Sequence, residues 1–402
     1  MSPRTDKTAE LLRKFHARFG TSGRVFRAPG RVNLIGEHTD YNDGYVMPVA
    51  IGLSCWVAAA PRAGEKTDQQ LVIYSENFDE TAHVNLNDIP LRASQSWSDY
   101  PVGVAWALQQ AGFALAGANI FMSSEVPMGA GLASSAALEV SVAWALLALS
   151  GFAVDGIGLA QLCRQAENDF VGTRCGIMDQ FASCQGRVGH ALMLDCRSLE
   201  YRPLPLPASS ELIICNTNIK HALSAGKYNV RRAECEEGVR ALAEFFPGIR
   251  ALRDVTLENL QQHRARMASN VYKRCRHVIT ENDRVLRAAR ALEAGDTILL
   301  GRLMGESHRS LRNDFEVSCR ELDVMVDLAN KQRGTYGARM TGGGFGGCTI
   351  NVVNRGDAPE FVARVTQGYR AATGREANCY ICEASQGAEE VLVPAGTPAG
   401  ER

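Results

Sequence analysis

One segment constrains the fold more than any other, because it reads as a strand, a glycine-rich loop and a long apolar helix in direct succession. The strand is NIFMSSEV, the loop is PMGAGLASS and the helix is SAALEVSVAWALLAL. The loop would bring backbone N–H groups, the positive end of the helix dipole and two serine hydroxyls to one point, which suits a phosphate group and Mg²⁺. The loop alone leaves a second interpretation open, an ordinary capped helix after a tight turn.

A second glycine-rich loop, GGGFGG, lies at Gly342–Gly347. Its backbone N–H groups, unshielded by side chains, could also bind an anion. Its glycines match GxGxxG, but the strand CTINVV follows, whereas a dinucleotide-binding fingerprint requires a helix at that place. The sequence contains neither GxxxxGK[ST] nor the protein-kinase signature set, so Walker-type and protein-kinase sites are excluded.

The pattern along the chain predicts two α/β (α+β) units. Residues 24–80 read as strands and turns, and a helix is expected over about Leu159 to Val171. The segment RPLPLPASS, from Arg202 to Ser210, concentrates prolines and serines, so we place a boundary there, giving an N-terminal domain of residues 1–200 and a C-terminal domain of residues 201–402. The second unit is expected to be a helical layer on a small antiparallel sheet.

Composition excludes several classes of protein. The 43 Lys and Arg residues nearly balance the 44 Asp and Glu residues, so nothing recruits nucleic acid or an anionic membrane by charge. The apolar stretch Ala136 to Val154 is interrupted by Glu139 and is better explained as a buried helix than as a membrane span. The N-terminus resembles an amphipathic helix rather than a signal peptide, and the 12 cysteines, including the lone CxxC of Cys379 and Cys382, are expected to be free thiols. We therefore expect a cytoplasmic protein.

A polar segment, GRVNLIGEHTDYNDG, follows the first strand-like run and packs charged, imidazole and amide groups into a short stretch bounded by glycines. Groups spaced this closely can bind several hydroxyls of a sugar. A solvated loop is the alternative. Metal binding by His38 is disfavoured, because no second histidine lies at a ligand-like spacing.

Two acidic residues, Glu167 and Asp179, lie twelve positions apart across a glycine break. Near a phosphate loop, one could hold Mg²⁺ while the other orients the attacking hydroxyl or takes its proton. Alternatively, Glu167 lies on a solvated helix face and Asp179 caps the next helix.

Three segments taken together resemble the galactokinase family of the GHMP small-molecule kinase superfamily. PGRVNLIGEHTDYNDG resembles the family signature, VPMGAGLASSAALEV the second GHMP motif and RMTGGGFGGCTI the third, and GIMDQ and HALSAGKYNVRRAECEE resemble further galactokinase segments. The resemblance extends over essentially the whole chain. It implies a two-domain fold with the active site in the cleft between the domains, where the third motif braces the phosphate loop.

The resemblance also implies roles for individual residues. Asp179 and Arg31 match the catalytic aspartate and arginine. The positions that contact the sugar are Glu37, His38, Thr39, Asp40, Gly176 and Tyr228. ATP is expected on Gly129, Ala130, Gly131, Leu132, Ala133, Ser134 and Ser135, with Trp97 near the adenine, and Mg²⁺ on Ser135 and Glu167. The second motif usually reads GLSSS, and here Ala133 replaces its first serine, so the loop lacks the hydroxyl of that serine.

The function implied is Mg²⁺-ATP-dependent phosphorylation of the anomeric C1 hydroxyl of α-D-galactose to galactose 1-phosphate, the entry to galactose metabolism by the Leloir pathway. The expected partners are galactose and ATP, with no nucleic acid and no membrane, and the chain is expected to be a monomer or a weak homo-oligomer. Two alternatives stay open: a relative acting on N-acetylgalactosamine or another sugar, and a catalytically silent sensor. The full-length second motif and the presence of Arg31 and Asp179 argue against the sensor.

Overall fold

The structure, a computed structural model, describes residues 3–62, 69–90, 93–219 and 224–392. The start of the segment HALSAGKYNVRRAECEE, residues 221–223, lies outside the described residues. The helices are Pro3–Phe19 (α1), Asp99–Gln110 (α2), Ser134–Leu149 (α3), Gly156–Gln165 (α4), Met178–Gln185 (α5), Ser224–Ala243 (α6), Leu257–Gln262 (α7), Ser269–Glu293 (α8), Thr297–Ser310 (α9), Arg320–Asn330 (α10) and Ala358–Thr373 (α11). The strands are Arg24–Asn33 (β1), Tyr45–Val46 (β2), Pro48–Pro61 (β3), Gln70–Ser75 (β4), Glu80–Asn85 (β5), Ala118–Ser124 (β6), His190–Asp195 (β7), Tyr201–Pro205 (β8), Ser210–Asn216 (β9), Thr335–Thr341 (β10), Cys348–Asn354 (β11), Asn378–Cys382 (β12) and Glu389–Val391 (β13).

The first sheet has the strand order β13-β1-β3-β6-β4-β5, and its neighbouring strands are antiparallel except for β4 and β6. Successive side chains of β1 point to opposite faces, and both faces are covered. Val25 packs with Leu11 and Phe15 of α1, whereas Phe26 joins an apolar cluster with α2, α3 and α4. Because both faces are covered, β1 is buried along nearly its whole length instead of alternating between apolar and polar residues.

The second sheet has the order β10-β11-β9-β12 and is antiparallel throughout. Ile213 packs against α10 and α11, while its neighbour Ile214 faces a cluster that includes residues of α8 and α9. That cluster also contains Leu34 and Ile35, which lie in the polar signature segment. One apolar core therefore joins the two halves of the chain directly beneath that segment.

The boundary at residues 200/201 stays a prediction, and two features cross it. β8 pairs with β7 in a three-stranded sheet with β2, so the proline-rich segment belongs partly to a sheet of the first half. The last strand, β13, returns to pair with β1, Val25 lying opposite Val391. The edge of β1 would otherwise expose unpaired backbone groups, and the C-terminal strand satisfies them.

The apolar stretch of residues 136–154 forms most of α3, which packs in the core against α2, α4 and the first sheet. Among the described residues, no helix combines the length and the apolar character needed to cross a bilayer. All 12 cysteines lie within the described residues and are free thiols. The helix expected over residues 159–171 is present as α4, which continues without a break into a π-helical turn, Ala166–Val171.

Candidate active site

The glycine-rich loop before α3 ends in an uncapped helix start. Ala133 occupies the N-cap position in the left-handed region, with φ 58°, and its methyl side chain makes no capping hydrogen bond. The first N–H groups of an α-helix have no partner within the helix, so those of α3 are free to meet an anion. Ser134 and Ser135 lie at this end and are half-buried, which leaves their hydroxyls within reach of a ligand.

The second glycine loop packs directly on the first. A Cβ atom at Gly342 would lie 2.8 Å from the backbone oxygen of Gly131, and one at Gly347 would lie 2.9 Å from that of Ala130. Only glycine permits backbone to approach backbone this closely, and both residues also have φ of 82°. The GGGFGG loop therefore supports the loop before α3. The strand after it is β11, which confirms that it is no dinucleotide fingerprint.

Arg31 and Asp179 form a bidentate ion pair beside this loop. Nε and Nη2 of Arg31 donate to the two carboxylate oxygens of Asp179 at 2.9 and 2.8 Å. The remaining nitrogen, Nη1, donates to the backbone oxygen of Gly131 at 2.6 Å. The side chain of Asp179 is 26% exposed whereas that of Arg31 is 5% exposed, so the carboxylate is the member of the pair that a ligand can reach.

Glu167 lies in the π-helical turn after α4, a distortion that is often found at functional sites. The Ser135 hydroxyl donates to its Oε1 at 3.3 Å, and the Gln180 amide donates to its Oε2 at 2.7 Å. Burial, with a further contribution from the charge of Asp179, raises the pKa of Glu167 to about 7. The interpretation of Glu167 as a solvated helix residue is wrong, because only 6% of its surface is exposed.

His38 lies at the centre of an aromatic cluster with Tyr41, Tyr228 and Phe315. Its Nδ1 is 2.8 Å from the hydroxyl of Tyr41, whereas its buried Nε2 has no hydrogen-bond partner in the described part of the chain. Burial lowers the pKa of His38 to about 3, so the ring is neutral at physiological pH. An unpartnered nitrogen in a buried ring is costly unless a ligand pairs with it.

Asp40 is half-buried and lies against the backbone of Gly176. A Cβ atom at Gly176 would lie 2.0 Å from Oδ2 of Asp40, so only glycine leaves room for this carboxylate. Burial, reinforced by the charge of Asp179, raises the pKa of Asp40 to about 7. Asp40 and Asp179 are therefore close enough for their charges to interact.

Two other residues of the signature segment make structural contacts. Glu37 is buried, and its Oε1 accepts hydrogen bonds from the backbone N–H of Gly342 at 2.8 Å and from the hydroxyl of Thr341 at 3.1 Å. The Thr39 hydroxyl lies within hydrogen-bonding distance of two backbone oxygens of its own loop, at 2.7 and 2.8 Å. Glu37 therefore ties the signature segment to the second glycine loop, and Thr39 shapes the segment itself. The sugar contacts expected of both residues stay predictions.

Trp97 contacts residues between strands β4 and β5 and at the start of β5. Its ring stacks on Phe78 with the centroids 5.8 Å apart, and its indole N–H donates to Glu80 at 2.6 Å. Both partners belong to the β4–β5 hairpin region, and the adenine contact expected of Trp97 stays a prediction.

Sequence reasoning missed the supporting residues on α8. His277 contacts the backbone oxygen of Glu37 through Nε2 at 3.1 Å, and Glu281 accepts from the N–H of Gly36 at 2.9 Å. Both side chains are fully buried and one helical turn apart. A pair of ionisable residues at this spacing on the apolar face of a helix is the signal that could have revealed them.

Three family models match the chain. They are the galactokinase galactose-binding signature over residues 13–61, the N-terminal domain of GHMP kinases over residues 99–187 and the C-terminal domain of GHMP kinases over residues 288–371.

Relatives and solved structures give the same picture. A galactokinase of Roseiflexus sp. is 47% identical over 96% of this chain and 97% of the relative, and a galactokinase of Chloroflexus aurantiacus is 45% identical over 90% and 92%. The crystal structure of Lactococcus lactis galactokinase complexed with galactose superposes with a TM-score of 0.91 at 36% identity, covering 96% of this chain and 100% of that one. Mevalonate kinase of Methanococcus jannaschii shares the fold at 18% identity, with a TM-score of 0.65 and coverage of 91% and 99%.

Proposed function

This chain belongs to the galactokinase family of the GHMP kinases, and we propose that it transfers the terminal phosphoryl group of ATP to the anomeric hydroxyl of galactose at the site described above. The observation that carries this proposal is the position of Arg31, which contacts both the reachable carboxylate of Asp179 and the backbone of the glycine loop before α3. Arg31 thereby holds Asp179, which acts on the attacking hydroxyl, next to the N–H donors of the loop that binds phosphate.

In the proposed reaction Asp179 faces the anomeric hydroxyl and orients it, or takes its proton, for direct in-line attack. Arg31 holds both oxygens of this carboxylate, so the carboxylate can rotate little. Positioning of this kind supplies much of the rate enhancement in phosphoryl transfer. No covalent intermediate on the protein is required.

We assign the phosphate groups of ATP to the residues from Gly129 to Ser135. The uncapped start of α3 offers N–H donors and the positive end of its dipole. Ala133 has no hydroxyl, so Ser134 and Ser135 supply the hydroxyl donors of this loop. We assign the adenine ring to the neighbourhood of Trp97, whose stacking on Phe78 offers an aromatic surface.

Ser135 and Glu167 fit a Mg²⁺ ion. Among the described residues no set of three or more His, Cys, Asp or Glu side chains could hold a metal by itself, but Mg²⁺ usually binds to one or two carboxylates together with substrate phosphates. Ser135 and Glu167 supply a hydroxyl and a carboxylate oxygen 3.3 Å apart beside the phosphate loop. Mg²⁺ held there would neutralise charge on the transferred phosphoryl group.

The sugar is proposed to bind between the signature segment, Gly176 and Tyr228. His38 Nε2 is a buried nitrogen without a partner among the described residues, and a galactose hydroxyl would satisfy it. Asp40 and Glu37 contribute carboxylates, and a carboxylate that pairs with a particular hydroxyl rejects sugars lacking it.

The chemistry of the surface and the thiols supports a cytoplasmic location. Free thiols are typical of a reducing compartment, and the near balance of charge offers no electrostatic attraction to nucleic acid or anionic membranes. We propose a monomer or a weak homo-oligomer.

A coupled assay of ADP release tests the proposed function. Galactose, N-acetylgalactosamine, glucose and arabinose are each supplied with Mg²⁺-ATP, and we expect galactose to give the highest kcat/KM. Asp179→Asn is the control that identifies background ATPase activity. Preference for another sugar would revise the substrate, and sugar-independent ADP release alone would refute the function.

A further inference from the structure

Gln180, the residue that follows Asp179 on α5, connects three elements of the fold. Its amide nitrogen donates to Oε2 of Glu167 in the π-helical turn at 2.7 Å and to Oε2 of Glu139 on α3 at 3.0 Å. Gln180 and Glu139 are fully buried, and Glu167 is 6% exposed. A primary amide nitrogen carries two hydrogens, so each carboxylate receives one.

These contacts hold Glu167 from two sides. Ser135 donates to one oxygen of its carboxylate, and Gln180 donates to the other, which also accepts from the thiol of Cys175 at 3.6 Å. Glu139 contacts no substrate group in the proposed site, and its Oε1 has no hydrogen-bond partner within the described residues. Its remaining oxygen accepts from the amide of Gln180, which fixes the amide on the side opposite to Glu167.

We propose that Gln180 is a positioning residue for phosphoryl transfer, whose amide holds Glu167 against Ser135 while Glu139 anchors the amide from the opposite side. This inference rests on the proposed function, because it assigns Gln180 to the metal-binding side of that site. Groups that orient a metal ligand typically change metal affinity or activity by about 10- to 100-fold when they are altered. Because α5 also carries Asp179, the same helix fixes both the metal ligand and the group facing the sugar.

Position 180 requires an amide for two reasons: the side chain must be long enough to contact both carboxyl groups, and it must be uncharged with two N–H donors. An ionised glutamate has the same length but only accepts hydrogen bonds, and a protonated one donates a single O–H, so neither can donate to both Glu139 and Glu167; either would bring a third carboxyl group against two that are already buried. Gln180→Glu should therefore release Glu167 from its position. Gln185→Glu is a matched control, because it makes the same change at the other end of α5, where the side-chain oxygen accepts from the hydroxyl of Tyr201 at 3.1 Å.

The test measures the Mg²⁺ dependence of the intact enzyme at saturating ATP and galactose, together with Mn²⁺ binding to the enzyme–ADP–galactose complex by electron paramagnetic resonance. For Gln180→Glu we expect the half-activating Mg²⁺ concentration and the Kd of Mn²⁺ to rise by about tenfold or more. The Kd of galactose, measured calorimetrically without nucleotide or metal, should stay within about twofold, a result that a merely structural defect would not produce. Gln185→Glu should behave like the wild type.

A second variant keeps the proposal falsifiable if Gln180→Glu does not fold. Glu139→Met has similar length and no charge, and it removes only the anchor of the amide, so we expect a smaller, severalfold rise in the Mg²⁺ requirement. Unchanged metal dependence in a folded Gln180→Glu enzyme, or in Glu139→Met, would overturn the corresponding part of the proposal. Absence of galactose-dependent ADP release by the wild type would instead refute the proposed function, so the two failures are distinguishable.

Discussion

Replacing Asp40 with asparagine should stabilise the ligand-free protein at alkaline pH while it weakens galactose binding. Burial against Gly176 and the charge of Asp179 raise the pKa of Asp40 from 3.8 to about 7. The folded protein therefore binds this proton more tightly than the unfolded chain does. As the pH rises from about 4 to about 7, ionisation of Asp40 costs folding free energy, and the cost is fully present above about pH 7.

The size of the effect follows from the pKa. A rise of about 3 units at roughly 1.4 kcal/mol per unit sets an upper limit of about 4 kcal/mol. Asp40 is only half-buried, and water reaching the site screens its charge, so we expect about 1–2 kcal/mol. An unfolding entropy of about 2 cal/mol/K per residue over 402 residues converts this to a Tm increase of about 1–2.5 °C.

The assay is thermal unfolding of wild type and Asp40→Asn at pH 5 and pH 8, without ligand. The Tm advantage of the variant should be larger at pH 8 than at pH 5, and its galactose affinity at pH 8 should fall by about ten- to a hundredfold if a sugar hydroxyl pairs with the carboxylate. Asp43→Asn is the matched control, since its carboxylate lies in the same segment but is 45% exposed and paired with Arg197. A Tm difference that does not depend on pH would refute the electrostatic reasoning, and unchanged galactose affinity would refute the sugar contact.

Three further substitutions test the site. Asp179→Asn should lower kcat by about a hundredfold or more with near-normal galactose affinity by calorimetry, and substantial retained turnover would contradict its role. Ser135→Ala should raise the Mg²⁺ requirement more than the KM for galactose, because it removes a hydroxyl beside Glu167, whereas equal effects on both would argue against a metal role. Gly176→Ala should reduce galactose affinity by about tenfold or more without a matching rise in the Mg²⁺ requirement, since its Cβ would displace Asp40; an unchanged Kd would contradict that packing.

Local sequence patterns predict many of the helices and strands, and the motifs indicate the family. The run of strand, glycine loop and helix from residue 118 to 149 depends on local periodicity and turn residues, and the structure has β6 and α3 in that place. The three motifs and their order along the chain indicate the superfamily without reference to any tertiary contact. Local patterns succeed here because each motif is continuous in the chain and its geometry is set by its own residues.

The contacts between these motifs, by contrast, depend on how distant segments of the chain pack together. Arg31 and Asp179 are 148 positions apart, and nothing in either segment specifies a bidentate pair between them. The resemblance implies that the GGGFGG loop braces the phosphate loop, but only the packing shows its backbone against that of Gly131, and β13 joins the first sheet from the opposite end of the chain. The burial of each site residue likewise depends on elements that are distant from it in the sequence.

The same reason explains the ionisable groups. Three features depend on what packs around them: a buried His38 whose Nε2 has no partner among the described residues, a half-buried Asp40 with a pKa near 7, and a Gln180 that bridges two carboxyl groups. The sequence shows which ionisable groups are present. Their protonation depends on desolvation and on neighbouring charges, and these arise only when the halves of the chain pack together.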